Sequence, residues 1–184
     1  MATRDILIVS DSHGRLQRLN ELVAYRQHLL PPDEVLNIIF LGDGLNDLFS
    51  CNRYDAVISH AVRGNCDFGI QFSPYGEEIP LYRLIQLGNY KIFMTHGHTL
   101  GVKGGRDELC REAARNGADI VLFGHTHVPS LEYIEKGSIR GVDKPLVHFN
   151  PGSLGDFEGS FGNLSLSDDG FLLSHGKYHN VMKK

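Results

Sequence analysis

Apolar and polar positions along this chain fall into blocks. Ile6-Leu7-Ile8-Val9 is a continuous apolar run that stops at the polar turn Ser10-Asp11-Ser12-His13-Gly14. Such a run predicts a strand buried on both faces that feeds a loop. Leu16, Leu19, Leu22, Val23 and Tyr25 then recur at helical spacing, and Pro31-Pro32 stops that helix. Leu36 to Leu41 predicts a second buried strand, closing on Gly42-Asp43-Gly44. The stretch from Asp55 to Val62 predicts a third, closing on Gly64-Asn65-Cys66-Asp67. Strand, helix, strand in this order predicts right-handed parallel crossovers.

The pattern changes in the middle. Ile79 to Leu87 and Tyr90 to Met94 predict two strands joined by the hairpin dipeptide Gly88-Asn89, the second ending at Thr95-His96-Gly97-His98. Arg106 to Asn116 predicts a helix with Gly117 just past its end. Ile120 to Phe123 predicts a strand ending at Gly124-His125-Thr126-His127. Further strands are expected at Leu131 to Ile134, Leu146 to Phe149, Asn163 to Leu166 and Gly170 to Ser174, the last two flanking the turn Ser167-Asp168-Asp169. The expected fold class is α/β, two packed β-sheets flanked by helices, as one domain over residues 1–184.

Composition narrows the function classes. The 184 residues are 41% apolar and 22% charged, which suits a folded chain rather than a disordered one. Lys+Arg 18 against Asp+Glu 22 gives a net charge of −4, so there is no strong nucleic-acid signal. Cys51, Cys66 and Cys110 form no CxxC pair, which argues against a disulfide framework or a thiolate zinc knuckle. No apolar stretch is long enough for a membrane span and the N-terminus lacks a signal-peptide core, so a cytoplasmic protein is expected.

The chemistry lies at the strand ends. Five predicted strands end in Gly-rich turns carrying Asp11-x-His13, Asp43, Asn65-Cys66-Asp67, His96-Gly97-His98 and His125-x-His127. Ligands in open α/β sheets bind beyond the carboxyl ends of strands, so these loops are expected to share one rim. In extended chain, residues i and i+2 face one side, which would aim Asp11 with His13, and His125 with His127, at one place. Each turn alone reads as well as ordinary turn chemistry or a surface histidine. Five in one chain point to a metal site. Two Asp, one Asn and four His make seven O/N donors, too many for one ion and suited to two divalent ions sharing a bridging carboxylate.

The series DSH, GD, GNCD, THGH and GHTH, with Asn150-Pro151-Gly152-Ser153, resembles the calcineurin-like metallophosphoesterases, and among them the small YfcE-type phosphodiesterase branch. The resemblance implies a metallophosphoesterase-type α-β-β-α sandwich and a phosphodiesterase with two divalent ions. Mn²⁺ is the first expectation, with Ni²⁺, Zn²⁺, Fe²⁺ or Mg²⁺ as alternatives. It implies that Asp11, His13 and His127 hold one ion, that Asn65, His96 and His125 hold the other, and that Asp43 bridges them. A metal-bound hydroxide would attack phosphorus in line, with Asn65 helping to stabilise charge. His98 would sit at the rim near the phosphate, and Asp67 would orient a ligand.

The wider family places a proton-donating His where this chain has Cys66, as the narrower branch does. A thiol near two cations loses its proton readily and is a poor acid, so esters with basic leaving groups should turn over poorly. The expected partner is a small phosphodiester substrate, with homo-oligomerisation left open. The alternative is a non-catalytic protein-binding scaffold on the same fold, similar to the retromer subunit. Phe49, Phe68, Phe72 and Tyr75 follow the site loops and read as packing residues before base-stacking ones. His28, His60, His148, His175 and His179 read as surface or core residues.

Overall fold

The computed structural model describes residues 4–54 and 57–183. The predicted third strand therefore begins, at Asp55 and Ala56, outside the described residues, and its observed part is Ile58–Ala61.

Among the described residues, ten strands form two five-stranded sheets. The first contains β1 (Arg4–Val9), β2 (Asn37–Phe40), β3 (Ile58–Ala61), β9 (Ser160–Leu166) and β10 (Phe171–Lys177), in the order β10-β9-β1-β2-β3. β1, β2 and β3 are parallel, and β9 and β10 run antiparallel beside them. The second contains β4 (Tyr82–Leu87), β5 (Tyr90–Thr95), β6 (Ile120–Phe123), β7 (Ser130–Ile134) and β8 (Leu146–Asn150), in the order β4-β5-β6-β8-β7. Its middle strands β5, β6 and β8 are parallel, with antiparallel strands at both edges.

Side-chain alternation sends successive residues of a strand to opposite faces, and in the central strands both faces are covered. Ile6 and Ile8 enter a core shared with Ile92, Met94, Ile120 and Leu122 of the second sheet. Leu7 and Val9 point the other way, against Leu19, Leu22 and Val23 of helix α1 (Leu16–His28). Phe93, Val121 and Phe123 pack in the same manner on Leu109, Cys110 and Ala113 of α3 (Asp107–Arg115). The layers therefore run helix, sheet, sheet, helix, and the apolar runs lack a polar face because none of their positions meets water.

Two short helices carry no long apolar period and were not anticipated: α2 (Leu45–Phe49), directly after the Gly42-Asp43-Gly44 turn, and α4 (Tyr178–Val181). The strand expected from Ile79 begins only at Tyr82. Pro80 has no N–H to give a ladder, and its carbonyl instead accepts the Arg63 N–H at 2.9 Å. No described helix is long and apolar enough to cross a membrane.

Candidate metal centre

The carboxyl ends of β1, β2, β3, β5 and β6 lead into the loops holding the candidate donors. The loop after β8 joins them through Ser153, whose Oγ donates to the Asp11 carbonyl at 2.9 Å. The parallel strands, three in each sheet, thus supply one rim.

The expected extended geometry is not what aims the ligands. Among the described residues, the non-glycine positions with positive φ are Asp11 (53°), His13 (46°), Asp43 (56°), His125 (67°) and His127 (59°). All five are candidate ligands. A left-handed backbone costs a side-chain-bearing residue of order 1 kcal/mol or more, and persists where the surroundings over-determine it. Here Asp11 N–H donates to Gly42 O at 2.9 Å and His13 N–H to Asp43 O at 3.1 Å. Gly64 has no room for a side chain: a Cβ there would lie 2.0 Å from Asp43 Oδ1. The loops interlock because glycine lets their backbones touch.

The donor atoms meet in two groups, Asp11 with His13 and His127, and Asp43 with His96 and His125, each within 4.8 Å. Asp11 Oδ1 lies 3.2 Å from His127 Nε2 and 3.7 Å from His13 Nε2. His96 Nε2 lies 3.3 Å from Asp43 Oδ2 and 4.0 Å from Asp11 Oδ1, and His13 Nε2 lies 3.9 Å from Asp43 Oδ2. Asp43 thereby stands between the groups. Asn65 is exposed, and its Nδ2 donates to Cys66 Sγ at 3.3 Å. It stands on the loop after β3, beside Cys66. The His98 ring centroid is 5.4 Å from that of His96 and 6.1 Å from that of His125, at the edge of the cluster. Cys66 Sγ forms a third group with His13 and Asp43.

The residues present fit divalent cations. Asp11 Oδ1 and His96 Nε2 are buried without an aligned hydrogen-bond partner, a state that buried polar atoms rarely keep unless a ligand completes them. Their other atoms are occupied. His96 Nδ1 is 2.7 Å from the Leu41 carbonyl and so carries the proton, which turns the Nε2 lone pair inward. Asp11 Oδ2 accepts from Ser10 Oγ and from His125 N–H. Asp43 Oδ1 accepts Cys66 N–H at 2.7 Å.

Electrostatics follow from this crowding. Burial works against ionising Asp11, but the His127 and His13 rings close to its Oδ1 and the field of His96 outweigh it and hold the carboxyl well below the usual range. Asp43 is likewise held down, to about 2, by His96 and the Cys66 N–H against the cost of burial. His127 is raised to about 9, chiefly by Asp11 and then by Asp156. Burial and the neighbouring His96 and Lys103 lower His125 to about 4. Partial burial and then the carboxylates of Asp43, Asp67 and Asp11 push the Cys66 thiol up to about 11. This opposes the expected easy proton loss, which requires cations to reverse the field.

Three supporting residues stand out. Asp67 accepts four backbone N–H groups, from Asp43 and Gly64 at Oδ2 and from Gly44 and Leu45 at Oδ1, all at 2.8–2.9 Å. It fixes the Asp43 backbone and the loops on either side. The other two were not singled out in sequence. Asp47 Oδ2 accepts Ser12 Oγ at 2.6 Å and Gly14 N–H at 2.9 Å, fixing the first loop. Asp156 Oδ1 lies 3.0 Å from His127 Nδ1 and orients that ring. Neither lies in a metal-like motif. The one available signal for Asp156 is its place shortly after Asn150-Pro151-Gly152-Ser153.

Comparison with known proteins places the chain in a family. The profile of the calcineurin-like phosphoesterase superfamily domain matches residues 5–169. The probable metallophosphoesterase YsnB of Bacillus subtilis is 34% identical over 151 residues, covering 82% of this chain and 75% of its own. The phosphodiesterase YfcE of Escherichia coli K12 is 31% identical over 160 residues, covering 81% and 78%. A predicted phosphoesterase of Streptococcus pneumoniae shares the fold at a TM-score of 0.69 and 24% identity, over 97% of this chain and 91% of its own. Vacuolar protein sorting 29 of Cryptosporidium parvum does so at 0.64 and 20%, over 95% and 97%.

Proposed function

The chain belongs to the calcineurin-like phosphoesterase superfamily, and from that premise we propose that it is a phosphodiesterase working on small phosphodiesters with two divalent cations, Mn²⁺ first among them. The observation that carries this reading is the pair of buried, unpartnered atoms Asp11 Oδ1 and His96 Nε2, each facing Asp or His donors of other loops. Two divalent cations at this place would supply Lewis acidity and a hydroxide nucleophile near neutral pH.

The chain's own residues do the rest. Asp11, His13 and His127 would hold one cation, and His96, His125 and Asn65 the other, with Asp43 shared. Asp67, Asp47 and Asp156 keep these groups in place before substrate arrives, so little reorganisation accompanies the reaction. Burial and then His96 lower the His98 imidazole below the ordinary histidine range, and from the edge of the cluster it would offer an N–H to a phosphate oxygen. A thiol occupies position 66, and no other acid is assigned to the leaving group. The phosphodiesterase YfcE, at 31% identity, supports the diester over the monoester. The vacuolar protein sorting 29 fold raises the scaffold reading, but the interlocked loops around clustered Asp and His donors favour catalysis. A cytoplasmic location is part of the proposal.

The test is hydrolysis of bis-p-nitrophenyl phosphate after chelation, then after addition of Mn²⁺, Ni²⁺, Zn²⁺ or Mg²⁺. Activity lost on chelation and restored by a cation is the expected result. Full activity in metal-free protein would overturn the reading.

A further inference from the structure

Beside His127 lies an open cavity of about 490 Å³, lined by Pro129, Ser153, Asp156, Phe157, Glu158 and Lys177 among others. Its inner wall belongs to the metal centre: Asp156 bonds His127 and Ser153 bonds the Asp11 carbonyl. Its outer wall is Phe157, a large apolar ring that is 88% exposed.

A single exposed Phe on a loose loop would need no explanation. This loop is tied down. The Arg18 guanidinium donates to the carbonyls of Leu154, Asp156 and Phe157 and lies over the Tyr178 ring. Gly159 N–H bonds Asp156 O at 3.0 Å, and Tyr178 N–H and His179 N–H bond Gly159 O and Glu158 O. Phe157 is thus a largely exposed ring on a hydrogen-bonded loop, with the His179 ring 6.4 Å away at 28° and the rest of its surface open, so little backbone ordering would oppose stacking on it.

The polar end of the cavity narrows the ligand. Lys177 Nζ lies 2.5 Å from Glu158 Oε2, so the pair presents donors and an acceptor side by side with no net charge. A second phosphate would meet the carboxylate as well as the ammonium. A neutral planar ring with donor and acceptor on its edge would meet both partners.

We infer that this cavity is the subsite for one ester arm of the substrate, and that the arm it takes is a nucleobase-bearing one, its base stacked on Phe157 and its edge toward Lys177 and Glu158. The inference rests on the phosphodiesterase reading and deepens it by naming the substrate class.

The experiment compares thymidine 5′-(p-nitrophenyl phosphate) with methyl p-nitrophenyl phosphate in the metal-loaded protein. Both release the same leaving group, so the ratio of their kcat/KM values reports the arm alone. Phe157→Ala should lower that ratio about tenfold, within the range that base–aromatic stacking provides, and Phe157→Tyr should keep it. An unchanged ratio in Phe157→Ala would overturn the subsite. If the wild-type protein cleaves neither diester, the phosphodiesterase reading falls, and calorimetric titration with thymidine 5′-monophosphate decides the subsite separately. Binding weakened about tenfold by Phe157→Ala supports it; equal affinities, or no binding by the wild type, overturn it.

Discussion

Asp67 Oδ2 accepts the backbone N–H of Asp43 at 2.8 Å, so the proposed bridging carboxylate is fixed by another carboxylate that needs no cation of its own. The same side chain holds Gly64, Gly44 and Leu45, and with them the loops after β2 and β3. Asp67→Asn leaves one oxygen for four donors and turns an amide NH₂ toward two of them. Stability should fall by about 2–4 kcal/mol, as expected when buried donors lose a charged acceptor, and cation affinity by about 10–100-fold. Denaturant titration and elemental analysis would measure both. Wild-type values in both would mean that Asp67 does not organise the loops.

Asp43 and His98 should separate cleanly. Asp43 lies within reach of both donor groups, with His96 Nε2 at 3.3 Å and His13 Nε2 at 3.9 Å from its Oδ2. Asp43→Asn should reduce the metal content per chain and lower kcat/KM on the order of 10²–10³-fold. His98→Ala should cost about 10²-fold in rate while the metal content holds. Full metal content with normal turnover in Asp43→Asn would remove it from the bridging position.

Cys66 sets the leaving-group dependence. A general acid contributes about 10²–10⁴-fold, most of it when the leaving group is a strong base. With a thiol at this place, aryl diesters should react readily and simple alkyl diesters poorly. Cys66→His should flatten the dependence, and Cys66→Ala should change little for an aryl diester. The measurement is kcat/KM over an aryl and alkyl series for the three forms. A large loss in Cys66→Ala with the aryl substrate would give the thiol, which sits within ligand distance of His13 and Asp43, a direct part in the reaction.

What could be read in the chain was what repeats at short range. Ile6 to Val9 and Ile120 to Phe123 announced buried strands because both faces of each strand are covered. The donors after them were visible because Asp and His crowd Gly-rich turns. The way those donors point was not visible. Extended spacing suggested i and i+2 pairs, whereas left-handed backbones at all five positions do the aiming, and those depend on contacts such as Gly64 against Asp43. Asp156 and Asp47 act across 29 and 35 residues of sequence, beyond any local pattern. Packing was expected of Phe68, yet it is 87% exposed, because the residue before it is turned inward to bind four amides.

The same histidines predict opposite pH responses with and without cations. In the chelated protein His127 titrates near 9, raised by Asp11 and then Asp156, against about 6.5 when unfolded. Its stabilisation is fully present below pH 6.5 and is lost as pH rises through 9; His13 and His96, also raised, act in the same direction. His125, lowered to about 4 by burial and His96, costs stability as pH falls from 6.5 towards 4. The chelated protein should therefore be most stable near pH 6.5 and lose about 2–4 °C in Tm by pH 9, the shift of about 1 kcal/mol in a chain of this size, since His127 and His13 are partly exposed and screened by water. Cations compete with protons for the same nitrogen atoms. With Mn²⁺ present, Tm should instead rise between pH 6.5 and 8, and binding at pH 7 should release protons, seen as a calorimetric enthalpy that varies with the buffer. The same downward slope with and without Mn²⁺, together with a buffer-independent enthalpy, would mean that these histidines do not hold the cations.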